Sequence, residues 1–365
     1  MKRSLSISLI ILALSSFAFG QKLGKPTLTP SPLTATQEKT LNEGVGLHDA
    51  KKYSEAIAKY RSILAENPEC VAAMYELALS LENKGAKLEA VELAYKGTKY
   101  ISTELPLFYV LIANALDDAG KPDDAINIYR DGLKLLQAET RFGKYRSSLN
   151  YNLAVTFVRQ KKYTDARQAL KSAVADDPLY PSPHYLLAIV FNGTKYKIPG
   201  MLAAARLVSL EYNTQRTVAS AGVIVDLLKP ASKDPKSGNI TINLDFFAPK
   251  DEGEFGMYEM MLPTLTTIKD KDDQKKTANQ LFIESIGTVI SLLSEDKKLK
   301  DTFVGKNYIP FMVELKKGGH IDAFGNIVIF INNGNNDEAK RWIDGNETKL
   351  RAFLDWAKTY KPTTR

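Results

Sequence analysis

Residues 44–60 read GVGLHDAKKYSEAIAKY, and the spacing within them decides the fold. Gly44 is followed twelve places later by Ala56, which stands directly after an acid, and four places further on by Tyr60. The same marks return three times: Ala78, Ala90 and Ala94; Ala113, Ala125 and Tyr129; Ala154, Ala166 and Leu170. The five residues ahead of each second mark are also alike. They are Lys51-Lys52-Tyr53-Ser54-Glu55, Gly85-Ala86-Lys87-Leu88-Glu89, Gly120-Lys121-Pro122-Asp123-Asp124 and Lys161-Lys162-Tyr163-Thr164-Asp165. The intervals are 34, 35 and 41 residues, so an insertion is expected around 140–146.

Between the marks, apolar residues recur at helical spacing: Met74, Leu77, Ala78 and Leu81 in one copy, Leu153, Ala154 and Phe157 in another. Small residues at matching places let two helices approach closely. Gly85 and Gly120 suit the left-handed residue that ends a helix. Ser54, Asp123 and Thr164 stand where the next helix is expected to begin, with side chains suited to accept its free N–H groups. Each copy therefore reads as two helices joined by a short turn.

The set resembles the tetratricopeptide repeat, a helix-turn-helix unit of about 34 residues. Four copies match over residues 37–178. A fifth extends the resemblance to about residue 212, with Ala188 on a helix over 182–191, a longer turn over 192–198, and a partner helix starting near Pro199. A last helix over 216–228 is expected to cap the stack. Pro68 and Pro178 stand where that family often closes its second helix, replaced by Ser102 and Gln137 in copies two and three. The family's early tryptophan is replaced by Thr40, Met74, Tyr109 and Asn150.

The fold class expected is all-α: a tetratricopeptide-type solenoid over 36–229, then a mainly helical C-terminal domain over 240–365. Residues 21–35, rich in Pro, Thr and Lys, read as a flexible lead-in. Residues 230–239 read as a linker, and 240–247 alternate apolar and polar like a short strand. Further on, Ala278, Leu281, Phe282, Ile286, Val289 and Leu293 form an apolar helical stripe. Residues 308–315 read as a helix; 324–331 read as a helix, with a strand as the alternative because Val and Ile dominate. Asn336 and Asn346 read as helix starts, and Leu350, Phe353, Leu354 and Ala357 as the inward face of the last helix.

Lys2 and Arg3 precede an apolar stretch over 9–14, and Ala18-Phe19-Gly20 offers small residues before a cut ahead of Gln21. Residues 1–20 read as an export signal, shorter than the roughly 20 apolar residues of a spanning helix. A periplasmic or secreted bacterial protein is expected. Cys70 is the single cysteine, so packing and not an internal disulfide is expected to hold the fold, with Cys70 a small buried filler. The net charge of +7 is spread among alternating lysines and acids, a solvated surface and not a nucleic-acid track.

No arrangement of residues suggests catalysis. His48, His184 and His320 are far apart and match no zinc motif, and His48 and His184 read as surface or groove residues. Gly44-Val45-Gly46 lacks the third glycine and the lysine-serine pair of a phosphate loop. Asp270, Asp272 and Asp273 alternate with lysines and read as a solvated turn. The Asn-x-Thr triplets at Asn192, Asn239 and Asn346 read as chance. No metal and no cofactor are expected.

The resemblance implies a groove lined by the first helices, holding a peptide or a partner's helix. Its candidates are His48, Asp49, Tyr75, Glu82, Asn83, Asn114, Asp117, Asp118, Tyr151, Arg159 and Tyr185. Acids outnumber cations among them, which favours a basic or neutral ligand. The family's carboxylate clamp needs Lys, Asn and Arg, and only Asn114 is placed for it. The function expected is an exported adaptor that binds a protein or peptide partner. Two alternatives stand beside it: an enzyme or ligand-binding module after residue 240 with the repeats as a docking arm, and a structural part of an envelope assembly.

Overall fold

A computed structural model describes residues 23–137, 142–212, 214–229, 250–267 and 273–362. The expected export signal, linker and short strand, together with Asn239, Asp270 and Asp272, lie outside them. Among the described residues every regular element is helical, apart from one isolated bridge between Leu28 and Tyr100. The chain divides into two compact units, residues 1–162 and 163–365. The division falls between the two helices of the fourth copy.

The first unit carries α1 (Ala35–Asp49), α2 (Tyr53–Glu66), α3 (Val71–Lys84), α4 (Lys87–Gly97), α5 (Leu105–Asp118), α6 (Pro122–Leu136) and α7 (Gly143–Arg159). Each helix packs on the next, and α1, α3, α5 and α7 also touch in that order, so the first helices form one row. The small residues explain the closeness. Ala56, Ala78, Ala90, Ala94, Ala113, Ala125 and Ala154 are all fully buried. A Cβ added to Gly44 would meet the Tyr60 ring at 2.5 Å. Of the expected insertion, residues 138–141 lie outside the description. The rest lengthens α7, which has 17 residues against 14 in α3 and α5. Cys70 is buried against Ile63 and Ala73, as a small filler should be.

The turns correct one expectation. Ser54 and Asp123 do not cap: α2 and α6 start one residue earlier, after Lys52 and Lys121, without a side-chain cap bond. A left-handed residue stands five places before each buried small residue instead. It is Gly85 and Gly120 in copies two and three, with φ of 91° and 75°. It is Lys51 and Lys161 in copies one and four, with φ of 61° and 59°. A side chain in that region crowds its own backbone. Lys51→Gly and Lys161→Gly should each raise stability by about 0.5–1 kcal/mol, the relief exceeding glycine's extra unfolded-state freedom. Thermal denaturation of each variant checks this; a fall in Tm would count against it.

Residues 23–34, expected to be free chain, are laid in extended form against the turns after α2 and α4. Thr34 then caps α1 reciprocally with Gln37.

The second unit carries α8 (Tyr163–Asp176), α9 (Pro181–Gly193), α10 (Lys197–Leu210), α11 (Gln215–Leu228), α12 (Gly256–Thr267), α13 (Ala278–Glu295), α14 (Phe303–Asn307), α15 (Ile309–Lys317), α16 (Ile321–Asn332), α17 (Asp337–Gly345) and α18 (Glu347–Thr359). The turn from α9 to α10 is no longer than the others: α10 starts at Lys197, ahead of Pro199, and Lys195 is again left-handed with φ of 69°. Gly200 takes the alanine mark, twelve residues after Ala188, with α9 backbone only 3.3 Å from where its Cβ would be. Gly222 on α11 continues the first-helix marks, 34 residues beyond Ala188, so the expected capping helix keeps the repeat register.

The later helices do not stand apart from these. α10 is buried along nearly its whole length, from Ile198 to Ser209, and packs on α9, α11 and α18. A helix apolar on every side belongs in an interior. α11 packs on α16, and α13 on α15 and α16. Of the expected stripe on α13, Ile286, Val289 and Leu293 are buried, together with Ile290, while Leu281 and Phe282 are half-buried and Ala278 is exposed. Residues 324–331 are helical within α16, and Asn336 caps α17. Asn346 precedes α18 without capping it, its amide donating back to the Trp342 carbonyl.

Ionic contacts pin residues 251–252 to α8. The Arg167 guanidinium donates to Asp251 at 2.9 Å and to the buried Glu252 at 3.4 Å. Lys171 Nζ meets Glu252 at 2.9 Å. Tyr196 donates its hydroxyl to Asp251, and Arg167 lies 4.6 Å over the Tyr196 ring.

Candidate functional site

The row of first helices in the first unit presents one outward face, set by the helical period of α3. Tyr75, Glu76, Leu79, Glu82 and Asn83 lie within about a third of a turn of one another on it, while Met74, Leu77, Ala78 and Leu81 are buried on the other side. The candidates read from sequence fall into two groups on this row.

One group is consumed in holding the row together. His48 Nδ1 lies 2.7 Å from the buried Ser80 hydroxyl, and its ring meets Tyr53 edge-on. Asn114 Oδ1 accepts the Tyr129 hydroxyl, which ties its amide to α6. Asp117 accepts from Thr156 at 3.0 Å and from Arg159 at 2.8 Å. Asp118 accepts from Lys87 at 3.1 Å and reaches Arg159 at 3.4 Å. These acids and cations largely neutralise each other.

The other group keeps its capacity. Asp49 is exposed, and Asn83 is exposed apart from one bond to the Leu79 carbonyl. Tyr75 is half-buried, edge-on to Phe108 at 5.8 Å, its phenol pushed up to about 12 by burial and then by Glu76 and Glu82. Glu82 is half-buried, and its carboxylate has no hydrogen bond or ion pair among the described residues. Burial raises its carboxyl, Asp118 adds to this, and Lys87 opposes it.

Glu76 was missed in the sequence. It too is half-buried and has no bonded partner among the described residues, and its carboxyl is raised by burial and then by Asp49 and Glu104. The signal was present: it is the one charge in the first three turns of an otherwise apolar helix, VAAMYELALSLENK. Tyr151 is half-buried on α7.

Tyr185 belongs to the second unit, where its ring lies 5.9 Å from the Arg216 guanidinium. His184, expected at the surface or groove, is 1% exposed. Its Nδ1 faces the Tyr308 hydroxyl at 2.9 Å and its Nε2 the Pro178 carbonyl at 3.1 Å. His320 stacks on Trp356 at 4.9 Å. Asp273 pairs with Lys276 at 3.0 Å. Among the described residues no helix is long and apolar enough to cross a membrane.

The tetratricopeptide-repeat family model matches residues 41–101, 110–182 and 151–192. Residues 41–192 are tetratricopeptide repeats. No curated protein matches the chain. Among solved structures, a thermophilic tetratricopeptide protein of Thermus thermophilus is similar at 17% identity, covering 52% of this chain and 99% of its own, with a TM-score of 0.43. The pilF protein of Pseudomonas aeruginosa is similar at 11% identity, covering 73% of this chain and 95% of its own, with a TM-score of 0.45. YrrB, a repeat protein described as having an unusual peptide-binding site, is similar at 14% identity over 51% of this chain and 84% of its own, with a TM-score of 0.31. Tetratricopeptide repeats are scaffolds for contacts between proteins, because stacking hairpins leaves long continuous faces open.

Proposed function

We propose that the outward face of α1, α3 and α5 holds a protein or peptide partner, and that Glu76 and Glu82 receive its basic side chains. One observation carries this reading: two half-buried carboxylates on one helix face with no bonded partner among the described residues. Partial burial costs a carboxylate part of its hydration; no cation bonds to either one among the described residues, and Lys87 only partly offsets the cost at Glu82. An arriving Lys or Arg supplies the missing partner, while Tyr75 adds contact area at low entropic cost.

Capture from envelope extract tests it, with wild type beside a Glu76→Gln, Glu82→Gln pair. Wild type should retain a partner rich in Lys or Arg, and the pair should weaken retention about tenfold, the range of one charge-assisted contact. Retention should also fall as pH drops into the raised range of the two carboxyls, since only their charged forms attract a cation. Equal retention by both forms, or equal retention in acid, would count against the reading.

We also propose that the chain is exported, on the charged start, short apolar stretch and small residues of 1–20. N-terminal sequencing of protein from bacterial envelope should begin at Gln21; an intact Met1 would remove the proposal.

A second reading rests on a cleft of about 280 Å³ in the second unit. Its floor is Val225, Leu281, Phe282 and Ile329, and asparagines at 279, 332, 333 and 336 rim it. Asn279 and Asn336 exchange amide hydrogen bonds of 2.9 and 3.2 Å across the rim. Apolar floor with amide rim suits a neutral amphipathic ligand, and this reading is of binding. An Asn332→Leu variant with unchanged retention of such a ligand would argue against it.

A further inference from the structure

We propose that the turn edge of the first unit, formed by residues 67–70 and 99–101, is a second peptide-binding site, and that residues 25–32 of the chain are its resident ligand. This rests on different atoms from the outward face of α3, and neither reading needs the other.

The segment reads KPTLTPSP, residues 25–32. Prolines at 26, 30 and 32 favour an extended backbone and remove three N–H groups. Much of the polar main chain that remains is used on the turns. Thr27 and Leu28 both donate N–H to the Lys99 carbonyl at 3.0 Å, and Ile101 donates back to the Leu28 carbonyl at 2.8 Å. Ser31 donates its N–H to the Glu69 carbonyl at 3.2 Å and its hydroxyl to the Glu69 carboxylate at 3.1 Å. Asn67 donates its side-chain amide to the Pro32 carbonyl at 3.1 Å. The receiving groups lie past the ends of α2 and α4, where helix bonding no longer uses them.

Recognition here runs through main-chain bonds, as in other sites for extended peptides. Few side chains are buried: Thr27 and Thr29 are exposed, and Leu28 is 43% exposed beside Ile101 at 59%. A segment held this way lifts readily, and the edge beneath it then accepts the same kind of segment from elsewhere. The partner on hand with that chemistry is a second copy of this chain, offering its own Pro-Thr-Leu-Thr-Pro-Ser-Pro.

The test uses the full chain with residues 26–32 replaced by Gly and Ser, and a fluorescent synthetic peptide of residues 23–34. Anisotropy should show saturable binding at one site. Wild type should bind the peptide at least tenfold more weakly, because its tethered segment competes. A peptide with Ser31→Pro, lacking both Ser31 donors, should bind several-fold more weakly. No saturable binding to a replaced chain of wild-type helicity, or equal binding by wild type, would overturn the proposal. If the replaced chain does not fold, hydrogen exchange on wild type decides. The amides of Leu28, Ser31 and Ile101 should exchange more slowly than that of Thr29, and equal rates would overturn it.

Discussion

Replacing Arg206 by methionine should destabilise the second unit by about 2–4 kcal/mol, the range for leaving two buried carbonyls without donors. Arg206 is 2% exposed and sits in α10, which is buried from Ile198 to Ser209. It donates to three carbonyls: Ala357 at 2.9 Å, Tyr360 at 2.9 Å and Pro178 at 3.5 Å. The guanidinium also lies 4.6 Å over the Phe311 ring. Ala357 and Tyr360 end α18, where carbonyls lack helical partners and the helix dipole is negative. The cation thus completes the end of the last helix from about 150 residues away in sequence. Burial lowers its guanidinium to about 10, which leaves it charged at neutral pH. Replacing a buried ion pair by apolar residues is often harmless, because both charges leave together. Here only the donor leaves, and the carbonyls stay. Both tryptophans, Trp342 and Trp356, lie in this unit, so their emission follows its unfolding in urea. Arg206→Lys should recover part of the loss, since its ammonium keeps the charge but lacks the planar fork that a guanidinium aims at two carbonyls. An unchanged urea midpoint for the methionine variant would refute the account.

The ladder of small residues was legible because it is periodic, and periodicity survives in a single sequence. Its continuation in glycine beyond Ala188 was not followed. Gly200 and Gly222 carry the same marks with no Cβ, so the fifth turn looked long and α11 looked like a separate cap. The caps were misplaced for a related reason. A lysine can occupy the left-handed turn position that glycine marks, and no composition rule announces it.

On the first-helix row, the sequence placed candidates on helices but not their partners. Whether Asp117 is spent or Glu82 free depends on which residue of the neighbouring helix lies opposite, a matter of packing offset. Glu76 was overlooked although it is the one charge in the first three turns of α3. In the second unit the apolar stripe of α13 and the inward face of α18 were visible in the sequence. The bonds that fix their arrangement join Arg206 to Tyr360 and Arg167 to Glu252, too far apart in sequence for local pattern to show. Proline-rich composition suggested loose chain in the lead-in, whereas proline also prepares a segment to be docked extended.

The second large effect is acid sensitivity at His184. Its ring is fully buried and held neutral, one nitrogen facing the Tyr308 hydroxyl and the other the Pro178 carbonyl. Burial, and then the nearby Arg206 cation, lower it to about 3. The other titratable group facing it is the Tyr308 phenol, raised well above the usual range by burial and neutral throughout this range. The sign follows from proton counting. Below about pH 6.5 the unfolded chain binds a proton at His184 that the folded chain refuses until about pH 3. Stability therefore falls with falling pH across that window, by up to about 1.4 kcal/mol per pH unit and about 4–5 kcal/mol in all, and the loss levels off below it. Above pH 6.5 the group is neutral in both states and contributes no slope. Carboxylates add their own acid sensitivity, so the comparison must be with a variant that cannot titrate at this place. His184→Gln keeps one donor and one acceptor. It should be less stable than wild type at pH 7 by about 1–2 kcal/mol, the cost of imperfect buried hydrogen bonds. Its stability should fall less steeply below pH 6, so that the two curves approach and cross as the solution becomes more acidic. Urea titrations followed by tryptophan emission at a series of pH values give both curves. Parallel curves from pH 7 to pH 4 would show that His184 already binds its proton in the folded chain, and the buried neutral ring would have to be abandoned.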